Sequence, residues 1–204
     1  MTYKTDQEGF WAGEFGREYV SRNQGENFIR NNVALFARIL RSAPGVKSIV
    51  ELGCNIGLNL MALKRIGNDL DLVGYELNET AARRAAETGV ARIVCDTVLN
   101  EIKERHTFDL AFTSGLLIHI EPKHLDAVYQ NLFKLSHKYI LVSEYYNPTP
   151  VMVEYRGLQD RLFKRDFAGE LIDKFNLRLI DYGFVYHRDR SFPQDDATWF
   201  LLEK

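Results

Sequence analysis

The chain has 204 residues, 46% of them hydrophobic and 26% charged, which suits one globular domain with a sizeable core. Its formal net charge is −2 and no basic run exceeds two residues, so the electrostatic footprint of a nucleic-acid binder is missing. The opening stretch is polar and acidic and no run of 18 apolar residues occurs, so neither a signal peptide nor a membrane span is expected, and the location expected is cytoplasmic. Cys54 and Cys95 form no Cys-x-x-Cys pair and read as buried, reduced thiols.

In chain order, Ile29, Val33, Phe36, Ala37 and Leu40 recur at helical spacing, and Pro44-Gly45 stops that helix. Segment 1–45 reads as a helical cap. A strand is predicted at 47–52, a helix at 57–66, a second strand at 70–75, an alanine-rich charged helix at 78–88 and a third strand at 91–95. Phe108–Thr113 is the fourth strand. Leu125, Val128, Tyr129, Leu132 and Phe133 line a helix that Pro122 helps to begin, and a fifth strand follows at 139–144. Residues 145–170 are aromatic and charged with two prolines and read as an inserted lid. A helix near 166–175, a strand at 177–187 and a terminal strand Thr198–Leu202 complete the chain. Strands alternating with helices predict an α/β fold with a mostly parallel sheet in a single domain, 1–204, and the last two strands fit a hairpin at its edge.

The most informative stretch is Ile49-Val50-Glu51-Leu52-Gly53-Cys54-Asn55-Ile56-Gly57-Leu58-Asn59. A β-branched run ends in an acid, a Gly-x-x-x-Gly loop follows, and a helical pattern begins. Such a turn lets a ligand approach bare backbone at a helix N-terminus. Glu76 comes twenty-three residues after Gly53, at the end of the next apolar run, where an acid can accept hydrogen bonds from ribose hydroxyls. The dinucleotide fingerprint does not fit, because it needs glycine where the chain has Asn55 and Leu58.

The acid at Glu51 and the Gly53–Gly57 spacing resemble motif I of the class I S-adenosylmethionine-dependent methyltransferases. The resemblance implies a Rossmann-like, seven-stranded sheet with an antiparallel last strand. It also implies S-adenosylmethionine as cofactor and S-adenosylhomocysteine as product. By position, Gly53, Asn55 and Gly57 would wrap the methionine part, and Glu51 would engage its amino-acid end directly or through water. Glu76 would take the ribose, with Leu77 beside the adenine. Asp96 and Thr97 would meet the adenine amino group, and Ser114 and Gly115 would lie beneath the methionine moiety.

Methyl transfer from a sulfonium is an in-line displacement, so much of the catalysis is positioning. His119, just past the fourth strand, is the candidate general base for a hydroxyl, because histidine titrates near neutral pH. Tyr145, Tyr146, Tyr155 and Arg156, after the fifth strand, are the candidate walls and guanidinium for an anionic acceptor. His187, Arg188 and Arg190 form a small basic patch, and Asp195-Asp196 an acidic pair, both read as solvated loop. No metal-ligand spacing occurs.

A narrower likeness starts at Phe10. The pattern Trp11-x-Gly13-x-Phe15-Gly16-x-x-Tyr19-x-x-Arg22-Asn23 is similar to the opening of the pseudaminic acid biosynthesis-associated methylases. The similarity continues through Gly74–Asn78, Phe112–Ile120 and Ser143–Pro148. It implies methylation of a small molecule, a nonulosonic acid or another surface-glycan sugar. In the cap, Arg22 is expected to pair with the methionine carboxylate and Tyr19 to hydrogen-bond it. The alternatives are another small acid as acceptor, such as a phosphonate or carboxylate, or a nucleoside-binding module without catalysis.

Overall fold

Every apolar run that the sequence marks as a strand joins one sheet in the computed structural model, which describes residues 3–16, 18, 25–155 and 158–204. Among the elements that can be bounded, α1 (Asp6–Ala12) and α2 (Glu26–Leu40) precede the sheet. The alternation then runs β1 (Ser48–Leu52), α3 (Leu58–Ile66), β2 (Asp71–Glu76), α4 (Glu79–Glu87), β3 (Arg92–Cys95) and β4 (Phe108–Ser114). After two short 3₁₀ turns come α5 (Leu125–Leu135), β5 (Ser136–Glu144), β6 (Val151–Tyr155), β7 (Leu158–Lys164), α6 (Phe167–Phe175), β8 (Arg178–Phe184) and β9 (Thr198–Glu203).

The seven-stranded sheet has the order β3-β2-β1-β4-β5-β9-β8. Its first five strands are mutually parallel, and β9 is antiparallel to both β5 and β8. Helices cover both faces, so the strands read as near-continuous apolar runs. Alternate residues divide between two cores. Ile49, Leu110, Leu141 and Leu201 pack with Phe36 and Ile39 of α2 and Leu60 and Leu63 of α3. Val50, Ala111, Ile140 and Leu202 face Val128 and Leu132 of α5 and Leu171 of α6.

The expected elements are all present, with three differences at their edges. β5 starts at Ser136, earlier than its apolar run, because α5 stops at Leu135 and the Ser136 hydroxyl bonds the Tyr139 carbonyl at 2.6 Å. β8 ends at Phe184, before the expected 187, where the chain turns into the loop to β9. Part of the expected lid is a regular hairpin: β6 and β7 form a separate antiparallel pair. Leu162 of β7 is buried in the cluster that includes Val128 and Leu132 of α5, which ties the hairpin to the core although it lies outside the main sheet. Among the described residues no helix is long and apolar enough to cross a membrane.

The strand order reverses between β1 and β4, strands that are neighbours in space but not in sequence. Ligands of open α/β sheets bind outside the strand C-termini at such a point.

Candidate active site

A cavity of about 700 Å³ opens at that point, within the size range of small-molecule sites. One side is built from the ends of β1, β2 and β3, including Glu51, Gly53, Asn55, Glu76, Leu77 and Thr97. The other side comes from β4, β5 and the loop between β8 and β9, including Ser114, Gly115, His119, Ser143, Tyr145 and His187.

The glycine loop owes its shape to backbone that few residues adopt. Gly53 has φ +78°, Asn55 +48° and Gly57 +81°, a left-handed region in which a Cβ is costly. A Cβ on Gly53 would also stand 2.8 Å from Leu116 Cδ1, so the loop approaches the turn after β4 as closely as glycine allows. Glu76 clamps the loop from β2. One carboxyl oxygen accepts the Asn55 N–H at 2.8 Å and the other accepts the Asn78 N–H at 2.7 Å.

The charge balance is unusual. Glu51 is buried, and burial pushes its carboxyl up to about 8, opposed by a hydrogen bond from Asn59 and assisted by the nearby Glu76. Burial also raises Glu76, against the N–H groups that it accepts. Glu144, at the end of β5, is raised to about 7 by burial. Its Oε1 accepts the N–H groups of Leu116 and Leu117, both at 3.1 Å, and its Oε2 that of Ile118 at 3.4 Å. Glu144 therefore fixes the 3₁₀ turn that carries His119. Two buried acceptors at the cavity, Glu51 Oε2 and Asn55 Oδ1, find no donor among the described residues. Among the described residues that line the cavity there is no lysine or arginine.

Side-chain amides tie the walls together. Gln194 Nε2 donates to Asn32 Oδ1 (2.9 Å), Asn32 Nδ2 to Asn59 Oδ1 (2.8 Å), and Asn59 Nδ2 to Glu51 Oε1 (2.6 Å). This relay runs from the β8–β9 loop through α2 and α3 to β1. On the opposite side, Glu8 of α1 hydrogen-bonds the Thr97 hydroxyl, and Asn78 Nδ2 donates to the Trp11 carbonyl at 2.9 Å. The Trp11 and His119 rings lie 4.5 Å apart, so α1 roofs the cavity from β3 across to the turn after β4.

Of the residues singled out in the sequence, Glu51, Gly53, Asn55, Glu76, Leu77, Thr97, Ser114, Gly115, His119 and Tyr145 meet at this cavity. Gly57 opens α3 directly behind the loop. Asp96 stands beside the cavity, where its Oδ1 accepts the Thr97 N–H and the Asn100 amide. Tyr146 lies apart from it, 42% exposed with its ring 5.8 Å from that of Phe200, because alternation turns it to the other side of the chain from Tyr145. Tyr19, Arg22, Arg156 and the side chain of Tyr155 lie outside the described residues. Several cavity residues were not singled out as site residues: Trp11, Glu8, Asn32, Asn59, Glu144 and Gln194. Trp11 and Asn59 carry a signal only as members of the two motifs, and Glu144 only as the acid ending the fifth apolar run; Glu8, Asn32 and Gln194 carry none.

Residues 49–138 match the family model of a methyltransferase domain. The chain carries a methyltransferase domain. The fold agrees over nearly its whole length with that of magnesium protoporphyrin IX methyltransferase from Synechocystis PCC 6803, solved with bound SAH. That likeness has a TM-score of 0.71 and 12% identity, and covers 98% of this chain and 100% of that one. The N-methyltransferase NodS from Bradyrhizobium japonicum WM9 is similar with a TM-score of 0.65 and 13% identity, over 87% of this chain and 96% of that one. The N-terminal domain of EvdMO1, solved in the presence of SAH and D-fucose, is similar with a TM-score of 0.60 and 18% identity, over 85% and 82% of the two chains. At these identities the likeness establishes the fold. No curated protein matches the chain in sequence.

Proposed function

We propose that this methyltransferase, using S-adenosylmethionine as its donor, O-methylates a small polar metabolite, a nonulosonic acid or a related surface-glycan sugar. The observation that carries the reading is the composition of the described cavity wall: raised carboxyls, amides and hydroxyls. Such a wall suits a positively charged donor and the hydroxyls of a sugar, both rich in hydrogen-bond donors.

The residues present fit the donor. Asn55 Oδ1, and Glu51 Oε2 once its carboxyl ionises, are buried acceptors lacking a donor, and an ammonium group supplies up to three. Leaving them unmet is costly, so a ligand that satisfies both is favoured. Glu76, already clamped by two N–H groups, has lone pairs left for ribose hydroxyls. Leu77 and the segment at Asp96–Thr97 then border the adenine, with Gly57 shaping the loop behind. Arg22 and Tyr19 are our candidates for the methionine carboxylate. S-adenosylmethionine supplies a methyl group on a cationic sulfur, already activated for displacement.

The protein's own work is orientation and the exclusion of water. Ser114, Gly115 and the turn held by Glu144 form the floor at β4, and Trp11 with His119 forms the roof. Tyr145, with the Lys164 ammonium 5.1 Å from its ring centre, is the acceptor wall. Tyr155 and Arg156, from the β6–β7 hairpin segment, are our candidates for closing over the acceptor, with Arg156 meeting its carboxylate. A structure solved with D-fucose present, sharing this fold, supports a sugar as acceptor.

The test is transfer of a radiolabelled methyl group from S-adenosylmethionine to free and nucleotide-linked acidic sugars, with neutral sugars and small phosphonates alongside. Turnover of an acidic sugar is expected. Turnover of the phosphonates alone would replace the acceptor class, and tight binding of S-adenosylhomocysteine with no turnover of any acceptor would favour a binding module.

A further inference from the structure

Besides His119, the cavity is lined by His124 and His187, and His187 has a setting that differs from that of His119. His187 lies in the loop after β8, and its ring Nδ1 is 2.8 and 2.9 Å from the two carboxyl oxygens of Asp196. Its backbone N–H also donates to Asp196 Oδ1 at 3.0 Å, so ring and main chain are both fixed to one carboxylate.

Strand register places this pair on the acceptor side. Glu144 at the end of β5 pairs with Thr198 of β9, and Thr198 pairs with Phe184 at the end of β8. The three lie in a row across the sheet. β8 therefore ends at the same rim as β5, two strands from it, and His187 follows Phe184 by three residues. The donor half of the cavity, at β1, β2 and β3, lies on the far side of β4.

We propose that His187, oriented by Asp196, is the general base that takes the proton from the acceptor hydroxyl; this rests on the reading of the acceptor as an alcohol. An ionised carboxylate can only accept hydrogen bonds, so Nδ1 carries the proton, and in the neutral ring the lone pair is on Nε2. Hydrogen bonds from His187 hold Asp196 below the usual carboxylate range, which keeps it ionised. As the acceptor oxygen bonds to the methyl carbon, the carbon–sulfur bond breaks with its electron pair left on sulfur. The hydroxyl proton passes to His187 Nε2. The imidazolium is stabilised by Asp196, and because the side chain is half exposed it returns its proton to water. Asp196 touches neither reactant and is a positioning residue. His119, packed on Trp11, then serves as acceptor wall.

The experiment reads the tautomer first, because that needs no acceptor. Long-range proton–nitrogen correlation spectra of the full chain, labelled with ¹⁵N-histidine, should show neutral His187 protonated at Nδ1 in the wild type. In Asp196→Asn the Nε2-protonated form should appear, since an amide can donate to Nδ1. Methyl transfer to N-acetylneuraminic acid is then compared among His187→Gln, Asp196→Asn and wild type, with S-adenosylhomocysteine affinity measured by calorimetry. kcat should fall by roughly 10²–10⁴-fold in His187→Gln, the range of a lost general base, with cofactor affinity kept. Asp196→Asn should move kcat in the same direction. An Nε2-protonated wild-type ring would overturn the proposal, because its lone pair would then point at Asp196. So would a His187→Gln enzyme that turns over normally. If N-acetylneuraminic acid is no acceptor, only the acceptor class fails, and the tautomer still decides the role of His187.

Discussion

Glu51→Gln tests the electrostatic design of the donor site most directly. The substitution keeps a carbonyl oxygen for Asn59 Nδ2, so the amide relay survives, but removes the titration. Moving a carboxyl from an ordinary 4.5 to about 8 makes its ionised form ~4–5 kcal/mol less favourable in the fold than in the unfolded chain, at ~1.4 kcal/mol per tenfold in the ionisation constant. The sign follows from where the proton is held. The folded protein binds it more tightly, so this contribution to stability is complete below pH about 4.5 and is lost as pH rises to about 8. Urea unfolding of the ligand-free protein should therefore show wild-type stability falling across that window, and a flatter profile for Glu51→Gln. Ligand binding adds a second readout. An ammonium beside Glu51 favours the carboxylate, so at pH 7 binding of S-adenosylhomocysteine should release about one proton, measurable by calorimetry in buffers of different ionisation enthalpy. Glu51→Gln should abolish that release and weaken binding by ~1.5–3 kcal/mol, the range for a hydrogen bond to a charged group. Equal affinity and equal proton release in the variant would refute the assignment of Glu51 to the amino group.

Glu76→Ala should weaken S-adenosylhomocysteine binding by ~1.5–3 kcal/mol and lower the melting temperature, because two N–H groups of the loop lose their acceptor; unchanged calorimetric affinity in a folded variant would move the ribose contact elsewhere. Glu144→Ala leaves the N–H groups of Leu116, Leu117 and Ile118 without their carboxylate, at ~1–3 kcal/mol for each one that stays buried and unpaired. Denaturant unfolding should register that loss, and faster amide exchange at 116–118 should locate it. His119→Ala should raise the Michaelis constant of the acceptor while lowering kcat by less than the ~10²-fold that marks a lost general base; a larger fall in steady-state kcat would return the base to His119. Arg156→Ala should raise the Michaelis constant of an acidic acceptor and spare cofactor affinity, and equal use of the acceptor's uncharged methyl ester by the wild type would end the case for an anionic substrate.

The half of the cavity proposed to hold the donor is legible in the sequence because its parts are local. A β-branched run, an acid, two glycines at fixed spacing and a second acid at the next strand end each report backbone geometry within a few residues. Glu51, Gly53, Asn55 and Glu76 could therefore be placed one strand at a time, and helix periodicity with the two-residue alternation of strands fixed the fold class. The same locality explains the errors at element edges, where a side-chain bond such as that of Ser136 decides between helix and strand. What only the tertiary structure decided are the pairings between distant segments. Glu8 meets Thr97 across 89 residues, Gln194 meets Asn32 across 162, and Trp11 lies on His119. The two hydrogen-bonded pairs carry no periodic or turn signal, since each polar side chain is suitable for a solvated loop until a partner removes it from water, and the motif that holds Trp11 does not name its partner. The same holds for His187 and Asp196, nine residues apart in a polar loop. Their meaning comes from the antiparallel turn of β8 into β9, which brings that loop to the rim where the parallel strands end.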